Sequence, residues 1–260
     1  MSRASPTKPI KPQRAVAKRT TPAKPVAIAK STVANLGFGD ETFAFLQDLE
    51  ENNERPWFEA NRSRYERLVR EPAFALIAAM APVLRTFAPH FVADSRPVGG
   101  SLMRVHRDTR FAADKRPYKT HVGIQFRHAT GKDIHAPGLY LHVEPSKCFL
   151  GIGLWHPEPE PLAKIRNRIV EHPDSWRRAS TGAAFRKLWT LDGASLVRVP
   201  RGFDAEHPCA EDLRRKDHLA VSTLEPSLLA GAAVAKELGR RFVAAKSYLE
   251  FLCTALDLAL

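Results

Sequence analysis

Six arginine and lysine side chains fall within the stretch RVHRDTRFAADKRPYKTH at 104–121, which we call the basic loop. Only two acids, Asp108 and Asp114, lie among them. Arginine presents a planar fork of donors that suits a carboxylate or a phosphate, and lysine adds a compact positive charge. The surplus of bases predicts an anion site formed by Arg104, Arg107, Arg110, Lys115 and Lys119.

An alternative for the same residues is that Asp108 and Asp114 hold the arginines in structural ion pairs. Tyr118 adds a hydroxyl group to the basic loop. If the domain is an enzyme, we expect the arginines to position the substrate and His142, Glu144 or Tyr118 to transfer a proton.

The segments that follow the basic loop alternate apolar and polar residues, as strands with one buried face do. In GLYLHVEP the leucines and Val143 face one side, whereas Tyr140, His142 and Glu144 face the other. The same alternation brings further ligand-binding candidates to the second side, which we call the polar sheet face: Gln125, Tyr140 and Trp155. The glycines of GIG at 151–153 leave space on the next strand. The plain alternative is a solvent-exposed face of an antiparallel sheet.

A metal site is a third reading of the polar sheet face. His106, His121 and His142, together with Glu144, could hold Zn²⁺ or Fe²⁺ if neighbouring strands bring them together. No compact ligand motif supports such a site, and crowding by arginines would repel a cation. We therefore predict no metal. We also predict no cofactor, because no GxGxxG, GxxxxGK[ST], GxSxG or HExxH pattern occurs.

The order of elements predicts the fold class. Helical patterns begin near Asp40 and continue to about residue 87, four strands are predicted at 100–107, 121–128, 138–145 and 147–156, and helical patterns return after Trp155. Short connections favour antiparallel pairing. We predict an α+β domain over 36–260, with a mainly antiparallel sheet of about four or more strands and helices packed on one face. In the first strand, Met103 and Val105 are assigned to the apolar side.

The charge of the chain is concentrated at its N-terminus. The formal net charge is +12, and residues 1–35 carry eight bases and no acid. This Pro-, Ala- and Lys-rich segment has no aromatic residue, so we predict a disordered tail. It could bind nucleic acid as a salt-sensitive basic arm, or it could be a solvated extension with no partner.

The three cysteines are far apart and form no CxxC motif, which favours a reducing compartment. No apolar run approaches the roughly 18–20 residues that a membrane-spanning helix needs. We expect a cytoplasmic protein that does not enter a membrane. Nothing in the pattern predicts an oligomeric state.

Several long motifs resemble one family. GFGDETFAFLQDLEENNERPWFEANRSRYERLVREP, GGSLMRVHRDTRFAADKRPYKTHVGIQFRH, HAPGLYLHVEP, GIGLWHP and RGFDAEHPCAEDLRRKDHLA resemble the conserved hypothetical family called domain of unknown function 2461. The resemblance covers residues 36–257 and implies no particular reaction. The family motif R-x-x-R-D-x-R-F-x-x-D-K-x-P-Y-K-T falls on 104–120. His106 stands where the motif has an aromatic such as Tyr, which implies no essential role for His106.

The leading hypothesis from the sequence is a domain that binds an anionic small molecule, bearing phosphate or carboxylate, between the polar sheet face and the basic loop. One alternative is a nucleic-acid-binding protein that uses the tail and the loop as one basic surface. Another is a structural or interaction module whose charges are paired internally.

Overall fold

The structure, a computed structural model, describes residues 36–130 and 136–260. The predicted disordered tail at 1–35 lies outside these residues. The described strands are β1 (Phe91–Val92), β2 (Val122–His128), β3 (Gly138–Glu144), β4 (Lys147–Leu154), β5 (Thr190–Asp192) and β6 (His218–Leu224). They form one antiparallel sheet in the order β1-β2-β3-β4-β6-β5. The predicted α+β class with an antiparallel sheet is confirmed.

Helices precede and follow the central strands. Before β1 lie α1 (Asp40–Glu51), α2 (Arg55–Ala60), α3 (Arg62–Tyr65), a π-helical turn (Glu66–Arg70) and α4 (Glu71–Phe87). After β4 come α5 (Pro159–Glu171), α6 (Pro173–Thr181), α7 (Ala183–Arg186), α8 (Ala210–Leu213), a 3₁₀ turn (Pro226–Leu229), α9 (Val234–Ala244) and α10 (Lys246–Ala255). Among the described residues, none of these helices has the length and apolar character needed to cross a membrane.

The core lies between the apolar side of the sheet and the helices. Ile124, Leu141 and Leu150 point to this side from successive strands, and each is fully or almost fully buried. They join one cluster with side chains of the helices, such as Leu76 and Phe242. The three cysteines are buried and free. Alternation along β2, β3 and β4 therefore identifies the buried face correctly.

The strand predicted at 100–107 is wrong. Its first residues contact β2, where the Met103 amide donates to the Gly123 carbonyl at 2.9 Å and Leu102 forms a single bridge with Ile124. The chain then leaves the sheet. The Arg107 amide donates to the Pro117 carbonyl at 2.8 Å, so the two ends of the basic loop pair with each other instead.

His218 on β6 is a buried imidazole. It has no exposed surface, its ring meets Trp176 edge-on, and neither ring nitrogen has a hydrogen-bond partner in the part of the chain that the structure describes. Burial lowers the pKa of His218 to about 3, and the charges of Arg215 and Arg166 act in the same direction.

His218→Leu is expected to reduce the loss of stability at acidic pH. The unfolded chain takes up a proton near the ordinary value of 6.5, whereas the folded chain does so only near 3, so stability is lost as the pH falls below 6.5. Between pH 7 and pH 5 this histidine should account for about 2 kcal/mol of the decrease. Urea unfolding at both pH values checks this, with the exposed His172→Leu as control. An equal decrease in both variants would contradict it.

Candidate functional site

A hydrogen-bonded line of side chains runs along β3 on the polar sheet face. The Tyr140 hydroxyl lies 3.1 Å from Nδ1 of His142, and Nε2 of His142 lies 3.2 Å from Oε2 of Glu144. The Thr120 hydroxyl donates to the other carboxylate oxygen of Glu144 at 3.3 Å. Alternation along β3 places Tyr140, His142 and Glu144 on the same side of the sheet. Each side chain in the line has a hydrogen-bond partner within it.

Two further rings enclose the imidazole of His142. Phe149, its partner across β3 and β4, stacks on one side with the ring centroids 4.7 Å apart. His121 stacks at 4.5 Å. The register of β2 and β3 pairs Val122 with Val143, so one step further His121 lies opposite Glu144. We call His121, His142 and Glu144 the histidine cluster; each offers a ligand atom, and these atoms lie within 4.8 Å of one another.

Burial sets the protonation of the cluster. It lowers the pKa of His121 to about 4, with a smaller effect from the neighbouring His142. Burial also lowers the pKa of His142, although the Glu144 carboxylate opposes this. Burial, aided by Glu144, raises the pKa of Tyr140 to about 12. At neutral pH the cluster therefore holds two neutral imidazoles, which can accept either a proton or a metal ion.

Three cations of the basic loop, Arg104, Lys115 and Lys119, have no carboxylate partner among the described residues. Lys119 is partly buried, and burial lowers its pKa, with a further contribution from the nearby charge of Arg104. Lys119 and His121 both line a cavity of about 10 Å³ beneath the loop, which has room for a single water molecule. A larger ligand would therefore have to bind from the solvent side.

The other three arginines of the loop are paired with its two acids. Arg107 and Arg116 share Asp114 at 2.7 and 2.9 Å, and Arg110 pairs with Asp108 at 2.7 Å. The backbone amide of Arg116 and the guanidinium of Arg107 hold the pKa of Asp114 well below its usual range. For Arg107 and Arg110 the alternative of structural ion pairs thus describes the geometry better than the predicted anion clamp.

The structure places several predicted site residues away from the cluster. Tyr118 is only 2% exposed and stacks on Phe58 at 4.1 Å, so its ring belongs to the core and not to the polar sheet face. Lys115 donates to the Thr109 carbonyl at 3.0 Å. Trp155 follows the end of β4 and is 70% exposed, about 20 Å along the strand from Phe149.

Gln125 and Arg104 also occupy positions that differ from the simplest prediction. Gln125 pairs with Tyr140 across the strands, but its side-chain oxygen accepts a hydrogen bond from Arg127 at 3.2 Å. Arg104 is exposed, and its charge acts on Lys119 and Asp108 instead of on His142.

The glycines of the polar sheet face do not open a pocket. A Cβ at Gly151 would make an ordinary contact of 3.6 Å with the Tyr140 side chain, so Tyr140 borders the space above this glycine. At Gly123 a Cβ would lie 2.9 Å from both Sδ of Met103 and the Tyr140 hydroxyl. Met103 therefore covers the polar side, and its assignment to the apolar side is wrong. Leu102, opposite Ile124, takes that place.

Sequence reasoning left His121, Thr120 and Phe149 out of the predicted anion and proton-transfer site. Phe149 could have been found, because the two residues between Glu144 and Lys147 fix the register of β3 and β4. The contact of His121 with Glu144 depends on the register of β2 and β3. No short turn joins those strands, so the sequence offered no comparable signal.

Comparison with known proteins places the chain in a family. Residues 41–251 match the model of a family described as conserved hypothetical protein (DUF2461), so the chain belongs to that family and the predicted resemblance is confirmed. The match includes the basic loop and the histidine cluster. No curated protein and no solved structure matches the chain significantly.

Proposed function

We propose that this member of the DUF2461 family binds a small anion, bearing phosphate or carboxylate, at Arg104 and Lys119 beside the histidine cluster. The observation that carries the proposal is the partly buried Lys119, which has Arg104 as a charged neighbour and contacts no carboxylate within the described residues. A partly buried charge is costly unless a counter-charge compensates it. A bound anion supplies that counter-charge.

The paired arginines support the proposal indirectly. Because Asp114 and Asp108 already engage Arg107, Arg110 and Arg116, they do not compete for Lys119 or Arg104. Among the described residues, the bases of the loop without a carboxylate partner are therefore Arg104, Lys115 and Lys119, and Lys115 donates to the Thr109 carbonyl instead. The partly buried cluster residues His142 and Glu144 lie on the sheet beside His121, on which the charge of Lys119 acts.

Titration with inorganic phosphate, pyrophosphate and a panel of dicarboxylates tests the proposal. We expect Lys119→Ala and Arg104→Ala each to weaken binding at least about tenfold, since each removes a charge-assisted contact of about 1.5–3 kcal/mol. Arg110→Ala is the matched control, because Arg110 is exposed and paired with Asp108, and it should bind as the wild type does. Isothermal calorimetry at fixed ionic strength gives the affinities.

The same titration separates the alternatives. Phe111 is 96% exposed in the basic loop, and an exposed aromatic beside arginine is a stacking platform for bases. Salt-sensitive binding of single-stranded DNA that is lost in Phe111→Ala, without binding of small anions, would favour the nucleic-acid function. Absence of binding to every anion and to DNA would favour the structural module. Either result would overturn the proposal.

A further inference from the structure

We propose that His121, His142 and Glu144 ligate a divalent transition-metal ion, with Zn²⁺ as the reference case. Two imidazoles and one carboxylate are a donor set that suits zinc and other divalent first-row metals, and three protein ligands leave a coordination position open. The inference goes beyond anion binding and does not depend on it.

The spacing of His142 and Glu144 fits such an ion. Their facing atoms, Nε2 and Oε2, lie 3.2 Å apart. Two ligand atoms bound to zinc at about 2.0–2.2 Å in a tetrahedral arrangement lie about 3.4 Å apart. An ion can therefore enter between these two side chains with little movement of β3.

His142 and Glu144 have hydrogen-bond partners of the kind that metal ligands have. When Nδ1 of His142 carries the hydrogen, it can donate a hydrogen bond to the Tyr140 hydroxyl, and the lone pair of Nε2 is then directed at Glu144. The Thr120 hydroxyl holds the second oxygen of Glu144. Such partners fix the tautomer and orientation of metal ligands.

His121 is the ligand that must move. Its ring stacks on His142 with an angle of 30° between the planes, so the in-plane lone pairs of the two rings run side by side. His121 lies in a bend immediately before β2. Rotation of its side chain turns a nitrogen toward the ion without displacing the strand, and metal binding should therefore disrupt the stack.

On the sequence alone, the nearby arginines are an objection to a metal site, because they would repel a cation. The observed ion pairs weaken this objection. Arg107 near His121 is paired with Asp114, which it shares with Arg116, and Glu144 contributes a negative charge to the site itself. Lys119 remains as a nearby cation. It disfavours a bare dication and favours one whose open position carries hydroxide or another anion.

Titration of the chelator-treated full chain with ZnCl₂ tests the proposal, followed by the visible spectrum of the Co²⁺ form. We expect one ion per chain and the spectrum of four-coordinate cobalt. His142→Ala and Glu144→Gln should each weaken zinc binding at least about tenfold, and Tyr140→Phe should weaken it by a smaller factor. His106→Ala is the matched control, because His106 lies beside Phe58 and Tyr118 and is outside the cluster.

Circular dichroism verifies that each variant is folded, and the nearly isosteric Glu144→Gln decides the outcome if His142→Ala does not fold. Absence of stoichiometric zinc binding to the wild type would overturn the proposal, as would equal losses in His106→Ala and Glu144→Gln. Lys119→Ala should retain zinc while losing the anion, so failure of this proposal is distinguishable from failure of the anion site.

Discussion

Tyr118→Ala should lower the free energy of unfolding by about 3–5 kcal/mol, whereas Tyr118→Phe should leave stability within about 1 kcal/mol of the wild type. The ring of Tyr118 is buried and stacks on Phe58 at 4.1 Å. Truncation to alanine leaves a cavity between the basic loop and α2. The hydroxyl makes no hydrogen bond with a described side chain, so phenylalanine at this position retains the stacking of the ring on Phe58.

The two Tyr118 variants also decide whether the Tyr118 hydroxyl, which the sequence suggested as a proton-transfer group, takes part in binding the anion. Urea unfolding gives the stabilities, and phosphate titration of Tyr118→Phe gives the affinity. A structural role predicts wild-type affinity in the phenylalanine variant. Loss of phosphate binding in a fully stable Tyr118→Phe would restore the hydroxyl group to the site and contradict its assignment to the core.

Gly153→Ala should cost at least about 3 kcal/mol, because two independent effects coincide at this position. Gly153 has φ of +119°, a conformation that side chains rarely adopt. A Cβ there would also lie 2.0 Å from the carbonyl oxygen of His218. That carbonyl belongs to the β4–β6 ladder, so it cannot retreat without breaking strand pairing.

Gly151→Ala is the matched control for Gly153→Ala. It lies two residues earlier on β4, and its Cβ would make ordinary contacts of 3.6–3.8 Å with Tyr140 and Leu219. We expect it to cost less than about 1 kcal/mol. Thermal unfolding of both variants compares them directly, and similar melting temperatures would show that neither the positive φ nor the close approach constrains β4.

Local patterns predicted the parts of the fold that depend on local spacing. Alternation identified β2, β3 and β4 and their buried side, since each side chain's direction follows from its neighbours. The segment 100–107 has the same alternation, yet Arg107 pairs with Pro117 and not with β2. Alternation does not indicate which segment the backbone of a strand pairs with, so this strand was predicted wrongly.

The sequence predicted which residues form part of the candidate site better than it predicted how they are arranged. Tyr140, His142 and Glu144 share a strand, and their common direction was correct. Whether each arginine is ion-paired depends on the direction in which the Asp108 and Asp114 side chains point. A count of charges does not supply that direction. His121 required the β2–β3 register, which is set by packing over the whole sheet.

Asn53 links the helical layer to the basic loop. Its amide nitrogen donates to the Tyr118 carbonyl and its oxygen accepts from the Tyr118 amide, both at 3.0 Å. The Asn53 side chain thus pairs with both backbone groups of Tyr118, as a residue of a neighbouring strand would. The two residues are 65 positions apart in the sequence. Closing so long a chain segment costs entropy that local hairpins avoid. During folding, the β2–β3–β4 meander should therefore form early, and Tyr118 should reach its position against Phe58 of α2 only when the helices dock.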